Sequence, residues 1–349
     1  MIISRTPFRI SFFGGGTDYP VWFREHGGSV LATSIDMYCY ISLRYLPPFF
    51  GHKSRIVYSK IESVGAAGRI QHPAVREALR FMGVSEGLEI HHDGDLPART
   101  GLGSSSSFTV GLLHALYALQ QKMPSKLELA QNATVIERDR IGESVGCQDQ
   151  VTASFGGFNR IFFRPSGEIV VQPVIVKAAR LEALQEHMVL LFTGFSRHAS
   201  AIAEKQILNT PRRTAELSEM QGMVDEGLRI LSGTGDLADF GRLLHESWRL
   251  KRSLTRKIST PQVDRIYETA RRAGALGGKL LGAGGGGFVL LFARPRDRAR
   301  VRSCFKDLLH VPFRFENGGS QIIFYDADAC ARDRGPAAVR TARAGRPHG

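Results

Sequence analysis

The stretch Leu96 to Gly111, LPARTGLGSSSSFTVG, limits what this chain can fold into more than any other. Two glycines precede four consecutive serines, and Val110, Leu113, Ala115, Leu116 and Leu119 then recur at helical spacing. The pattern predicts a loop that runs directly into the start of a helix. The first amides of a helix lack an intrahelical acceptor and sit at the positive end of its dipole. Glycine lets the backbone approach a ligand closely. Such a junction is an anion site, and phosphate is its commonest occupant. Taken alone, a serine-rich turn that only caps a helix would read the same way, because serine is a favoured N-cap and loop residue.

Two familiar phosphate loops are excluded. The P-loop needs a lysine before its Ser or Thr, and Leu96–Gly111 contains none. The dinucleotide fingerprint needs a third glycine, and Ser106 occupies that place. The loop is therefore of another kind.

The 349 residues, 43% of them hydrophobic, suffice for a large core and two domains. Cys39, Cys147, Cys304 and Cys330 are far apart with no CxxC pair, which fits a reducing cytoplasm and no metal knuckle. No segment approaches the ~18 apolar residues of a membrane span. The basic, apolar start MIISRTPFRISFF alternates like a strand and runs into glycines, so it is not read as a signal peptide. The net charge of +13 admits nucleic acid, anionic lipid or a phosphorylated small molecule as partner. Part of that excess lies in a tail, residues 328–349, whose Ala, Arg, Gly and Pro content reads as disordered.

In chain order, residues 1–13 read as a strand ending in Gly14-Gly15-Gly16-Thr17-Asp18, a tight turn that presents a carboxylate or simply caps a helix. Val30–Leu46 reads as one or two strands interrupted at Asp36, 47–70 as loop, Ala74–Met82 as a helix and Leu88–His92 as a strand. Lys126–Ile141 reads as a helix with a capping box formed by Ser125 and Glu128, and it carries Glu137. Gly142–Gln150 suggests a carboxylate, Asp149, on a structured loop, followed by strands over Val151–Phe163 and Ile169–Val176. A break at Lys177–His187 precedes a strand at Met188–Thr193. Helices dominate from Ala199 to Ala273, a glycine run between Lys279 and Phe288 turns into a strand, Val301–Leu309 is a helix and Gln321–Tyr325 a last strand. The glycine run could be a linker, but the apolar strand at its end favours a turn inside a domain. This is an α+β arrangement with units expected at 1–180 and 181–327.

Three glycine-bearing motifs thus stand in fixed order: PFRISFFGGGTD, LPARTGLGSSSS and KLLGAGGGG. Their order and sequences resemble the GHMP small-molecule kinases, which include the galactokinases and the homoserine, mevalonate and phosphomevalonate kinases, over residues 1–327. RISFFGGGTDYPVW, GCQDQ, FTGFSRHAS and LHESWRLKRSLTRKIST are similar to one branch, the bacterial D-glycero-D-manno-heptose 7-phosphate kinases. The fucose and other hexose 1-kinases share the QDQ and GGG patterns and form the alternative. The resemblance implies an N-terminal ribosomal-protein-like α/β domain with a left-handed βαβ crossover, a ferredoxin-like C-terminal domain, and a site in the cleft between them. It also implies ATP and Mg2+ as cofactors and transfer of phosphate to the anomeric hydroxyl of a sugar phosphate, which supplies nucleotide-activated heptose for lipopolysaccharide or capsule.

Carried over residue by residue, the resemblance places Gly101, Gly103 and Ser104, Ser105, Ser106 and Ser107 around the ATP phosphates. Magnesium falls to Glu137 with a serine, Ser105 being the choice. Asp149 matches the catalytic aspartate, and Arg9 falls where related sugar kinases carry a basic residue beside it. Asp18, with Gly15 and Gly16, would meet the sugar; the commoner motif has Gly-Glu-His before Thr-Asp, and the glycines here open space. Thr193, Gly194, Ser196 and Arg197, with Lys251 and Arg252, are the candidates for the sugar's own phosphate. Without the resemblance, Asp149 would read as a carboxylate satisfying loop amides, Glu137 as a solvated helix face and Arg9 as a surface charge. No nucleic-acid or membrane partner is expected, since Lys and Arg are spread thinly and aromatic–basic interleaving is absent. A cytoplasmic location is expected, and a homodimer is compatible with the sequence.

Overall fold

The computed structural model describes residues 1–47, 49–98, 100–194 and 199–326. The tail reading and the candidates Ser196 and Arg197 lie outside the described residues.

The first sheet has nine strands. Its spine is β1 (Ile2–Phe13), antiparallel to the 18-residue β2 (Gly28–Tyr45), with the glycine turn and helix α1 (Pro20–His26) between them. The sheet continues through β3 (Ser54–Val57), β4 (Ile61–Val64) and β5 (Leu88–Gly94), in the order β1-β2-β5-β3-β4, with α2 (Pro73–Met82) leading into β5. Asp36 does not interrupt β2. The β1–β2 register jumps from Pro7↔Tyr38 to Phe8↔Ile35, and Asp36 in that bulge exchanges hydrogen bonds with the Arg314 backbone.

Helix α3 (Ser104–Leu119) packs on β1 and β2 and is followed by α4 (Lys126–Thr134). Ser125 caps α4 by accepting from the Glu128 amide at 3.1 Å. The helix expected over 126–141 changes to a π-helical turn at Val135–Arg140, which carries Glu137. The strand expected from Val151 is instead α5 (Gln148–Phe155); only Phe158–Phe163 (β6) is extended, and Ile169–Pro173 (β7) pairs with it. A short fully buried apolar run carries no periodicity that separates helix from strand. Gly156 and Gly157, at φ 68° and 79°, mark the change. Residues 178–186 form helix α6 where a break was expected.

The second sheet contains β8 (Met188–Phe192), β9 (Ala275–Leu280), β10 (Phe288–Ala293) and β11 (Leu309–His310) in the order β11-β8-β10-β9. Helices α7 (Ala199–Asn209), α8 (Thr214–Ser232), α9 (Ala238–Leu254) and α10 (Pro261–Arg272) separate β8 from β9, and α11 (Pro295–Ser303) separates β10 from β11. This is the βαββαβ ferredoxin-like pattern. The helix read at 301–309 begins instead at Pro295, a residue suited to the first helical position, and ends before β11.

The chain then returns to the first sheet. β12 (Phe315–Glu316) pairs with β2, and β13 (Gln321–Tyr325) pairs with β1. The reading that groups 181–327 together puts these strands with the second half, whereas their hydrogen bonds put them in the first sheet. One hydrophobic core spans both halves: Phe240 of α9 lies 5.5 Å from Phe12 and 5.0 Å from Phe13, ring to ring. The end of β1 is thereby clamped between α3 and the second half, and the glycine turn after it opens onto the cleft between them.

Candidate active site

A cleft of about 220 Å³ lies where β1, α3 and α5 of the first half face α7, α9 and β9 of the second. Its lining includes Arg9, Gly15, Gly16, Asp18, Gly101, Gly103, Ser104, Ser105, Ser106, Asp149 and Lys251, all expected at the site.

Arg9 and Asp149 form its centre. Arg9 donates to both carboxylate oxygens, Nε to Oδ1 at 2.7 Å and Nη2 to Oδ2 at 2.6 Å, and its Nη1 donates to the Gly101 carbonyl at 2.8 Å. The guanidinium side chain is 5% exposed and the Asp149 side chain 25%. A bidentate pair of this kind fixes the plane of the carboxylate and leaves its remaining lone pairs toward the cleft. Asp149 lies in the first turn of α5 rather than on a loop.

Gly103 is the N-cap of α3 at φ 78°, and the first α3 bond runs from the Ser107 amide to the Gly103 carbonyl. A Cβ on Gly103 would sit 3.1 Å from Arg9 Cγ and 3.5 Å from Asp149 Oδ2, so both backbone conformation and space require glycine. The start of α3 therefore abuts the Arg9–Asp149 pair. The loop before it is braced by the glycine run: a Cβ on Gly101 would meet the Leu281 carbonyl at 2.4 Å, and the Phe288 amide donates to the Thr100 carbonyl at 3.2 Å.

Asp18 is 2% exposed and accepts from the Gly16 amide at 2.9 Å and the Gln148 amide at 3.3 Å. Burial raises its pKa, and the nearby Asp149 charge adds to this. It ties the glycine turn to the start of α5 while still facing the cleft. Gly15 has neither a left-handed φ nor a crowded Cβ direction; its nearest neighbours there are Ser11 Oγ at 3.6 Å and Gln148 Nε2 at 3.7 Å. At Gly16 the corresponding space is filled by Gln206 Nε2, 2.6 Å from where a Cβ would be.

Glu137 is 1% exposed and accepts from Ser106 Oγ at 2.8 Å, Thr109 Oγ1 at 3.0 Å and the Gln150 amide nitrogen. Burial pushes its pKa up to about 7; the hydroxyl and amide donors only partly offset this. It is not a solvated helix face. The serine beside it is Ser106, not Ser105, because Ser105 lies on the exposed side of the first α3 turn. Ser106 is the link between Glu137 and the cleft lining.

Besides Glu137, which touches the lining only through Ser106, four expected residues do not reach it: Ser107, Thr193, Gly194 and Arg252. The Ser107 hydroxyl donates to the Pro7 carbonyl at 2.8 Å, on the face of α3 turned to β1. Thr193 is buried against Gly287, exchanging hydrogen bonds with its carbonyl and amide, and so pins the glycine run. Arg252 pairs with Asp264 at 3.2 Å. Conversely, the lining includes Ser11, Gln148, Gln206 and Lys279, which had no assigned role. Lys279 was detectable as a lone charge in a strand that is otherwise apolar or glycine. The others become site residues only through tertiary packing.

The sequence matches the family described as "GHMP kinases N terminal domain" over residues 69–157 and "GHMP kinases C terminal" over residues 228–310. With both domains matched in order on this fold, the chain belongs to the GHMP kinases. It is 29% identical over 310 residues to the D-glycero-alpha-D-manno-heptose 7-phosphate kinase of Campylobacter jejuni, covering 85% of this chain and 91% of that protein. It is 28% identical over 346 residues to the galactokinase of Mycobacterium tuberculosis, covering 84% and 89%. Among solved structures, a D-glycero-D-manno-heptose 1-phosphate kinase from Bacteroides thetaiotaomicron shares the fold at TM-score 0.71 and 24% identity, covering 93% of this chain and all of that one. Among the described residues no helix is long and apolar enough to cross a membrane.

Proposed function

We propose that this kinase transfers the terminal phosphoryl group of ATP to the anomeric hydroxyl of D-glycero-D-manno-heptose 7-phosphate, giving the 1,7-bisphosphate. The observation that carries this reading is the placement of the Arg9–Asp149 pair against the first turn of α3 within one cleft. Phosphoryl transfer asks little covalent chemistry of a protein; it asks for positioning and charge neutralisation. The amides at the start of α3, with Gly101 and Gly103, hold the nucleotide phosphates. Asp149, oriented by Arg9, accepts the hydrogen bond of the acceptor hydroxyl and takes its proton as the new P–O bond forms and the bond from the terminal phosphorus to the ADP leaving group breaks. Arg9 offsets charge on the group in transfer. Asp18 and Gly15 face the sugar, and Lys251 meets an anionic part of it.

Magnesium is assigned to Ser106 and Glu137. Glu137 is a buried carboxylate whose partners are neutral hydroxyls and an amide, so among the described residues no cation balances its charge when it is ionised. Such an oxygen pair would hold a small hard cation, which would supply charge neutralisation at the nucleotide phosphates. The product feeds nucleotide-activated heptose for lipopolysaccharide or capsule, in the cytoplasm. A fucose-type or other hexose 1-kinase is the second reading, favoured by the galactokinase similarity.

The test is ATP turnover against a panel of free and phosphorylated hexoses and heptoses, with the position of the new phosphate read by 31P NMR. Heptose 7-phosphate should give the highest kcat/KM and a C1 phosphate. A free hexose as best acceptor would replace this reading with the second.

A further inference from the structure

Two lysines meet in the cleft. Lys251 stands in the last turn of α9 and Lys279 near the end of β9; they are 7% and 3% exposed. Each ammonium has one acceptor among the described residues: Lys251 Nζ donates to the Gly282 carbonyl at 2.5 Å and Lys279 Nζ to the Phe12 carbonyl at 2.8 Å. No carboxylate of the described residues pairs with either. An ammonium carries three donors, so most of their hydrogen-bonding capacity is unfilled. Taking such an ion out of water is costly unless partners offset the lost hydration.

The anchoring carbonyls locate the pair. Gly282 packs on Gly101, in the loop before α3. Phe12 follows Ser11 on β1, beyond Arg9. Both lysines thus line the same cleft as the Arg9–Asp149 pair. Burial depresses the pKa of Lys251 to about 8 and that of Lys279 well below the usual lysine range; Arg9 adds to both and Lys251 to that of Lys279, while the Asp18 and Asp149 charges partly offset the shift at Lys251. Three basic side chains drawn from three separate elements line one space, where Asp149 is already committed to Arg9.

We propose that Lys279 and Lys251 form an oxyanion clamp for a phosphate group in the cleft. The same chemistry suits two sources, the terminal phosphoryl group of the nucleotide and the phosphate already carried by the acceptor. Only the choice of source rests on the function proposed above. If instead Lys279 merely ties β9 to the end of β1, its removal lowers stability and leaves anion binding unchanged.

Calorimetric titration of inorganic phosphate into the wild-type protein, Lys279→Met and Lys251→Met tests the clamp without turnover. Melting curves establish that each variant is folded. Both substitutions should weaken phosphate binding by about tenfold or more, the scale of one lost charge-assisted hydrogen bond. Kinetics then separate the sources. A rise in KM confined to the phosphorylated acceptor supports a clamp on the acceptor's phosphate. A fall in kcat with phosphorylated and unphosphorylated sugars alike supports a clamp on the group in transfer. Phosphate affinity and kinetics within about twofold of wild type in folded variants overturn the proposal. Should Lys279→Met not fold, Lys251→Met carries the same test, since its ammonium is anchored on a different element. A wild type that binds inorganic phosphate through these lysines yet phosphorylates no sugar phosphate overturns the substrate reading and supports the clamp.

Discussion

The two ends of the cleft are built in opposite ways. The end proposed to hold the nucleotide is local: Gly101 to Ser106 are consecutive, and what they offer is mainly backbone amides at a helix start. The end proposed for the acceptor is assembled from five elements: Ser11, Gly15 and Asp18 from β1 and its turn, Asp149 from α5, Gln206 from α7, Lys251 from α9 and Lys279 from β9. A backbone site tolerates side-chain change but not a change of conformation. An assembled site behaves the other way, and substitutions can measure the difference.

The largest effect belongs to the residue where the two ends meet. Asp149→Asn keeps the shape of the side chain but removes the charge that Arg9 holds and the acceptor of the hydroxyl proton. Turnover should fall by ~100-fold or more, the usual scale for loss of a general base, while calorimetric affinity for an ATP analogue stays near wild type. Unchanged turnover would make Asp149 a structural residue.

Gly103→Ala probes the backbone end. A left-handed φ costs a non-glycine residue roughly 1–2 kcal/mol, and the new Cβ would press on Arg9 Cγ at 3.1 Å. We expect a lower melting temperature together with weaker nucleotide binding. Wild-type values for both would show that the loop does not need this conformation.

Glu137→Gln should weaken magnesium activation by about tenfold, the lower range for loss of a group that supports a metal site. It also has a pH signature in metal-free protein. Burial raises the Glu137 pKa from its ordinary 4.5 to about 7, so the folded state holds the proton more tightly than the unfolded chain. The stability from this group is fully present below pH 4.5 and is lost as pH rises through about 7. The Gln variant should be less sensitive to pH across that window, and an identical pH profile would contradict the assignment.

Gly15→Ala is the smallest change. No left-handed φ or steric contact requires glycine there, so stability should stay within ~0.5 kcal/mol. The added methyl group points between Ser11 and Gln148 into the acceptor space and should raise acceptor KM by roughly fivefold, about 1 kcal/mol for one methyl. Loss of stability without a KM effect would place Gly15 outside the acceptor end.

The same contrast explains how much the sequence revealed. The serine loop was legible because contiguous glycine, serine and helical periodicity describe a local object, and α3 starts at Ser104 as that pattern requires. The three glycine motifs led to the family and through it to Arg9 and Asp149, whose side chains meet across 140 residues of chain. Ser106 and Ser105 could not be separated, because only the phase of the first α3 turn decides which hydroxyl faces Glu137. Thr193 was misread because its partners, the Gly287 amide and carbonyl, lie 94 residues away. Ser11 and Gln148 carried no signal. Each has a buried oxygen without a hydrogen-bond partner in the described structure, a fact visible only once the fold is closed. Helix α5 was taken for a strand because its core-facing residues are buried without period.

A crystal structure with a non-hydrolysable ATP analogue and magnesium tests the proposed cleft most directly. The phosphate chain should lie along Gly101 to Ser106, with its terminal group beside the Arg9–Asp149 pair and the metal at Ser106 and Glu137. A nucleotide bound away from the start of α3, or an Asp149 carboxylate turned out of the cleft, would contradict this placement.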